Sequence, residues 1–355
     1  MGHITVKTKT KNKGRTALLS LLIVFTCLLE IFPNQYLLFN LLTSGILCVY
    51  WFLNKTNRIQ IMDVVLVLFV ILQMAGTFTV DRISIFVFFL FLETKELYSK
   101  KSIKVVTFIM GLFFAVVVMA YYLFGYNQSY DLTSWDRVNM CFILQKGLGF
   151  VNANRCMLYL FCTSLLILLL SKNLIVYALV LGVNYFVYVE TQSRTFFYAI
   201  SVILVLLVLF KIFKFEDKVT FLGKIAPITF FIIFALAIIL PLYFANTNLD
   251  DIFTGRLAHG KAFLSYGMTL FGNSKLEAVS FDNAYLHMLL TKGILYTLMY
   301  SFLIIRKRSR HLTNKDAVVL ISLFSVAFME VIFLKYMVMI VVGYIYNKEN
   351  VENAH

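Results

Sequence analysis

The stretch ETQSRTFFYAI, Glu190–Ile200, decides how the rest of the chain is read. Apolar runs flank it at 173–189 and 194–213. At about 1.5 Å per residue, each can cross most of the roughly 30 Å of hydrocarbon in a bilayer as a helix. At the head of the second run stands Arg194, a guanidinium that never loses its charge, costly inside lipid and at home at its surface. The stretch therefore reads as a turn at a membrane face joining two spans. Working outward, similar runs recur from one end of the chain to the other. The 355 residues are 61% hydrophobic and 14% charged, with a mean hydropathy of +0.84, against about 25% charged in an ordinary soluble domain. The runs are continuous instead of alternating, so helices, not a barrel, would satisfy the backbone in lipid.

The expected fold is all-α: a polytopic integral membrane helix bundle of about 12 transmembrane helices, forming a single transmembrane domain over 1–355. The spans fall at 16–32, 35–53, 61–80, 83–94, 103–124, 156–171, 173–189, 194–213, 225–245, 283–304, 317–333 and 335–346. The fourth and twelfth are short enough to be re-entrant or tilted. The basic N-terminal KTKTKNKGR precedes a long apolar run without a small-residue cleavage site, and so reads as an uncleaved first span.

A net charge of +14 raises the question of a nucleic-acid partner, since basic patches bind phosphate backbones. Here most Lys and Arg residues collect in short segments between apolar runs. The positive-inside bias explains that placement, so no nucleic acid is expected. The same bias places the chain in the cell membrane as a multi-pass protein with N- and C-termini cytoplasmic. It leaves two longer outer loops, 125–155 and 246–282, the second partly helical. Inner segments are short, which puts the expected chemistry on the outer face. The five cysteines form no CxxC pair, and no His/Asp/Glu cluster has metal-ligand spacing. No disulfide framework, metal or cofactor is therefore expected. Walker, Rossmann and kinase motifs are absent, as are the paired broken helices of secondary transporters.

Four arginines break the inside rule at the long outer loops or an outer helix end: Arg137, Arg155, Arg194 and Arg256. Arginine's rigid fork fits phosphate oxygens two at a time, whereas lysine acts as a point charge. Any one arginine at a helix end could equally snorkel to headgroups. Four that coincide with the long loops suit a lipid-linked pyrophosphate.

Four segments carry a resemblance: KGLGFVNANR (Lys146–Arg155), TQSRT (Thr191–Thr195), TGRLAHGKAF (Thr254–Phe263) and FGNSKLEAVSFDNAYLHMLLTKG (Phe271–Gly293). In order and position they resemble successive landmarks of the O-antigen polymerase and ligase superfamily. The chain departs from that pattern at Asn152-Ala153-Asn154, where the family often has Asn-Pro-Asn, and lacks the tryptophan that commonly follows Gly-Arg. The resemblance implies a polytopic glycosyltransferase that uses polyprenyl-pyrophosphate-linked sugars on the outer side of the cytoplasmic membrane. Polymerases of the Wzy type in that superfamily join repeat units of capsule, exopolysaccharide or O-antigen. Its ligases transfer finished glycan to another acceptor.

The resemblance, set beside the residue chemistry, gives Arg194, Arg256, Asp282, His259 and His287 as catalytic candidates. Arg155, Asn152, Asn154, Arg137, Trp135, Ser193 and Asn283 are the substrate-binding candidates. Arg194 opens the eighth span, where the helix dipole favours anionic oxygen. Ser193 caps that helix or donates to phosphate, and Glu190 is positioned to pair with Arg194 at rest. A helix over GRLAHGKAF places Arg256, His259, Gly260 and Phe263 on one face, suited to a phosphosugar or, alternatively, to lying on the bilayer. Asp282 is either an N-cap or the acceptor of a proton from the attacking sugar hydroxyl. Asn283 and His287 share a face, and His287 is a second base or a buried structural histidine. Asn152, Asn154 and Arg155 bind sugar and phosphate, or cap the sixth span. Trp135 is a candidate sugar-stacking platform, beside the local pair Asp136 and Arg137. Lys292, Glu330 and Lys335 read as structural or gating charges.

The expected reaction is direct displacement at the anomeric carbon, with arginines stabilising the departing pyrophosphate. Expected partners are the lipid-linked oligosaccharide substrate, membrane lipids, a flippase and a chain-length regulator. The competing readings are an O-antigen-ligase-like transferase and a flippase or transporter of lipid-linked oligosaccharide.

Overall fold

The structure, a computed structural model, describes residues 20–28, 31, 36–54, 61–77, 83–93, 95–136, 141–279, 281–306, 312–333 and 335–348. Helices dominate. In chain order they are α1 (20–28), α2 (Tyr36–Asn54), α3 (Ile61–Thr77), α4 (Ser84–Glu93), α5 (Lys100–Phe124), α6 (Ala153–Leu170), α7 (Leu174–Thr191), α8 (Arg194–Ile212) and α9 (Phe221–Phe244). They continue with α10 (Asn248–Ile252), α11 (Arg256–Leu264), α12 (Ala284–His287), α13 (Ile294–Arg306), α14 (Asn314–Met329) and α15 (Tyr336–Asn347). Among the described residues five, α5 to α9, are long and apolar enough to cross a membrane. The chain is a helical membrane protein. One feature departs from an all-helical reading: the first long loop contains an antiparallel hairpin, β1 (Leu132–Asp136) and β2 (Cys141–Gln145), with Leu132 opposite Gln145 and Trp135 opposite Phe142.

The chain divides into two compact units. The first comprises Met1–Lys55, Thr94–Leu209 and Asn347–His355. Its core helix is α6, 78% buried over its apolar window against 28% for α5 and α7, so α6 is wrapped by the others. Tyr159 on α6 donates to the Met110 carbonyl at 3.0 Å and lies 3.1 Å from Cys27 Sγ. Its ring packs on Phe114 and Phe150. Asn184 on α7 donates to Ser164 on α6 at 2.8 Å, a buried polar contact that fixes how the two helices face each other. The helix α5 begins at Ser99, whose side chain accepts from the Ser102 amide, and ends at Gly125 in the left-handed region.

The second unit comprises Thr56–Glu93 and Phe210–Tyr346. Here α9 lies along α14, with Phe230 packed among Tyr285, Phe324 and Phe333 at ring separations of 5.3–5.5 Å. The expected fourth span is α4, ten residues that cover about 15 Å, half the hydrocarbon thickness. It is buried over most of its length and runs beside α13, with Ser84 on Tyr296 at 2.7 Å, Phe88 stacked on Tyr300 at 4.5 Å and Glu93 paired with Arg306 at 3.4 Å.

The expected tenth span, 283–304, is not one helix. After the single turn of α12 the chain makes a π turn at Met288–Lys292, breaks at Gly293 with φ 94°, and resumes as α13. Backbone groups released by a break must find partners, because lipid offers none. The segment 269–273 supplies them: Asn273 N–H donates to the Leu290 carbonyl (2.8 Å), while Ile294 and Leu295 donate to the carbonyls of Thr269 (3.0 Å) and Leu270 (3.2 Å). The approach is so close that a Cβ on Gly293 would come within 2.4 Å of the Gly272 amide nitrogen.

Candidate functional site

The sequence candidates fall into two polar clusters, one in each unit. That in the second unit is a cavity of about 300 Å³ lined by Pro241, Arg256, Leu257, His259, Phe281, Asp282, Asn283 and Phe328. The helix α11 delivers the cation. Gly255, in the left-handed region at φ 81°, offers no capping side chain. Buried Asp250 substitutes for one, accepting from the amides of Leu257 (2.8 Å) and Ala258 (3.2 Å), and from that of Asn246 (3.1 Å). A carboxylate there stabilises the helix N-terminus and fixes where Arg256 starts.

Sequence spacing expects Arg256, His259, Gly260 and Phe263 on one face of this helix, and the structure divides them. Leu257, Gly260 and Phe263 enter the core. Phe263 stacks on Phe281 with ring centroids 4.1 Å apart, which covers the face meant for a sugar. Gly260 rests on Pro241 of α9, where a Cβ would come to 2.9 Å. Arg256 and His259 remain to line the cavity.

Arg256 Nη2 lies 3.6 Å from Asp282 Oδ2 and 3.6 Å from Glu330 Oε1. Both ion pairs use the same terminal nitrogen. The two carboxylates differ in setting, since the Glu330 side chain is 9% exposed and that of Asp282 is 47% exposed. Asp282 does not cap α12. That role belongs to Asn283, whose Oδ1 accepts from the amides of Tyr285 (3.0 Å) and Leu286 (3.1 Å). The candidate substrate contact at Asn283 is therefore at least half structural. His287 lies outside the cavity lining, with buried Nδ1 lacking a hydrogen-bond partner among the described residues, and the charged groups that act on it are Lys292 and Lys335. Glu330, which the sequence marks as a structural or gating charge, is the residue that spacing does not place beside Arg256. It is the sole carboxylate between Asp316 and Glu349 and ends an apolar run, the one signal that it needs a cation.

The cluster in the first unit joins the start of α6 to the turn before α8. Ser193 Oγ donates to Asn154 Oδ1 at 2.8 Å, so Ser193 ties two helix ends together in place of capping α8. Asn152 is the N-cap of α6, its Oδ1 accepting from the Arg155 amide at 2.8 Å. Arg194 is the first residue of α8, and Arg155 lies in the first turn of α6. Glu190, expected to pair with Arg194, instead receives Lys146 Nζ at 2.6 Å, and the Lys146 amide donates to the Glu190 carbonyl at 3.2 Å. A double contact of this kind pins the loop entering α6 to the end of α7. Arg137 and the side chain of Trp135 lie outside the described residues.

The fold is that of a helical membrane protein, and its second unit holds a cavity lined by Arg256, His259 and Asp282, with Glu330 paired to the same guanidinium. Among protein-family models, curated proteins and solved structures, none matches the chain.

Proposed function

We propose that the protein is a polysaccharide polymerase of the cell membrane, joining polyprenyl-pyrophosphate-linked oligosaccharide repeat units. In this reading it spans the membrane 12 times, keeps both termini in the cytoplasm and works on the outer face. The observation that carries the reading is the Arg256 cavity: a guanidinium, an imidazole and an accessible carboxylate converge within about 300 Å³, on the segments that resemble the superfamily. The resemblance supplies the substrate class, and the cavity supplies chemistry that suits it. A guanidinium is matched to the charge that develops on a departing pyrophosphate. Asp282, the more exposed partner, serves as base for the acceptor hydroxyl. Arg194 and Arg155, beside the Ser193–Asn154 contact, form a second anion-binding region.

The test is the full chain purified into liposomes with a polyprenyl-pyrophosphate-linked oligosaccharide. A ladder of longer glycans with release of polyprenyl pyrophosphate is expected. Asp282→Asn should lower turnover about 10²–10⁴-fold, the usual worth of a general base. Arg194→Lys should keep the fold yet lose most polymer, because the two-pronged fork is gone. Glycan appearing solely on an added second acceptor would make the protein a ligase. Lipid-linked substrate crossing the bilayer without new bonds would make it a transporter.

A further inference from the structure

The hairpin of the first unit carries apolar side chains that nothing in that unit covers. Phe142 is 72% exposed and Leu144 51%, and two residues apart on one strand they leave the same face. Neighbouring exposed apolar side chains on one strand face form a candidate interaction site. The height of the hairpin relative to α5 says what it meets.

The root of the hairpin is bolted to the last turn of α5. Asp131, just before β1, accepts from the Tyr121 hydroxyl at 2.5 Å and from the amide of Gly147, just after β2, at 2.8 Å. One carboxylate thus holds both ends of the hairpin to α5. Tyr121 is the 22nd of 25 helical residues, so it lies about 31 Å along the axis, one hydrocarbon thickness from the first turn. The outer stripe of α5, Phe108, Leu112, Val116, Met119 and Leu123, is exposed throughout, as expected of a helix face that looks onto lipid. The stripe runs on into Phe124, 82% exposed, at the level where the hairpin springs.

We infer that the hairpin is a membrane-interface anchor, its Phe142–Leu144 face seated among the headgroup and upper acyl region of the leaflet at the C-terminal end of α5. An aromatic and an aliphatic side chain, with Trp135 opposite Phe142 and Thr133 opposite Leu144, are suited to that depth. A platform for sugar would instead set the aromatic pair of positions 135 and 142 among hydrogen-bonding groups, and the next residue on that face of β2 is the aliphatic Leu144. The anchor would hold the loop between α5 and α6 flat against the bilayer, independently of any catalytic activity.

The test is depth-dependent quenching. Phe142→Trp, in a Trp51→Phe, Trp135→Phe background, is placed in phosphatidylcholine liposomes brominated either near the headgroup or deep in the acyl chain. Headgroup-side bromine should remove most of the emission, deep bromine less, and aqueous iodide little. Quenching by iodide with no effect of bromine overturns the inference. Shielding from both, the mark of a protein or glycan cover, overturns it too. Should that variant fail to fold, native Trp135 with Trp51→Phe gives the same reading at the position paired with Phe142.

Discussion

Arg256 sets the energetics of the cavity, because a guanidinium with two carboxylates 3.6 Å away cannot respond equally to the loss of each. Burial decides which loss matters. Glu330, 9% exposed, interacts through a medium that screens little, whereas Asp282, 47% exposed, is screened by water. Glu330→Gln should therefore destabilise the protein by about 1–2 kcal/mol, short of a fully buried pair because Arg256 itself is partly exposed. Asp282→Asn should cost under about 1 kcal/mol. Thermal unfolding of the detergent-solubilised variants checks the order, and equal losses would show that burial does not rank the two contacts. Arg256, His259, Asp282 and Asn283 could be found in the sequence because they lie in two short motifs. Glu330 could not be placed there: its partner is 74 residues away, and only the packing of α14 against α9 brings α11 to it. Asp250 was hidden for a different reason, since a carboxylate that caps a helix from outside leaves no fixed spacing in the sequence.

At the scale of elements, the break at Gly293 shows what hydrophobic periodicity cannot reveal. The run 283–304 is apolar throughout and reads as one span. Nothing within it announces that 269–273 will lie alongside and take its backbone groups. Gly293 itself was the available sign, a residue costly in a helix interior unless the backbone needs it. Gly293→Ala should be severely destabilising, by more than the roughly 1–3 kcal/mol that the positive-φ extended backbone (φ 94°, ψ 171°) alone costs a residue with a side chain, because the new Cβ meets backbone atoms of Leu270 and Gly272 that cannot move aside. Gly182→Ala in α7 is the contrasting case. Beyond its chain neighbours and its own helix backbone, no atom lies within 4 Å of the added Cβ, so better helix propensity should leave stability unchanged or raise it by up to about 1 kcal/mol. Melting temperatures of the two variants make the comparison, and a mild effect at Gly293 would mean that the break can straighten. The hairpin is equally hidden, since neither LTSWD nor CFILQ alternates apolar with polar residues, and both lie where the sequence reads as a loop.

For the molecule as a whole, ion pairs constrain the topology in a way that charge counting cannot. Within the second unit, Lys315 meets Glu216 at 2.8 Å and Arg306 meets Glu93 at 3.4 Å. The proposed 12-span topology assigns all four residues to the cytoplasmic side. Arg256 meets both Asp282 and Glu330, and the same topology assigns all three to the outer side. An error of one span between 93 and 330 would force some pair to reach across lipid, so these contacts are what the proposed order of spans requires. The helix α9 separates the two groups, with 24 residues that cover about 36 Å. This yields a direct expectation for exposed positions before and after it in the chain. With Cys48 and Cys141 replaced by serine, Ser265→Cys should react with an impermeant maleimide in intact cells. Asp217→Cys should react only after the membrane is opened. Reversed labelling would keep the spans and invert the protein, which would move the Arg256 cavity to the cytoplasm and end the polymerase reading. Labelling of both from one side would mean that α9 does not cross, and the ion-pair argument would fail with it.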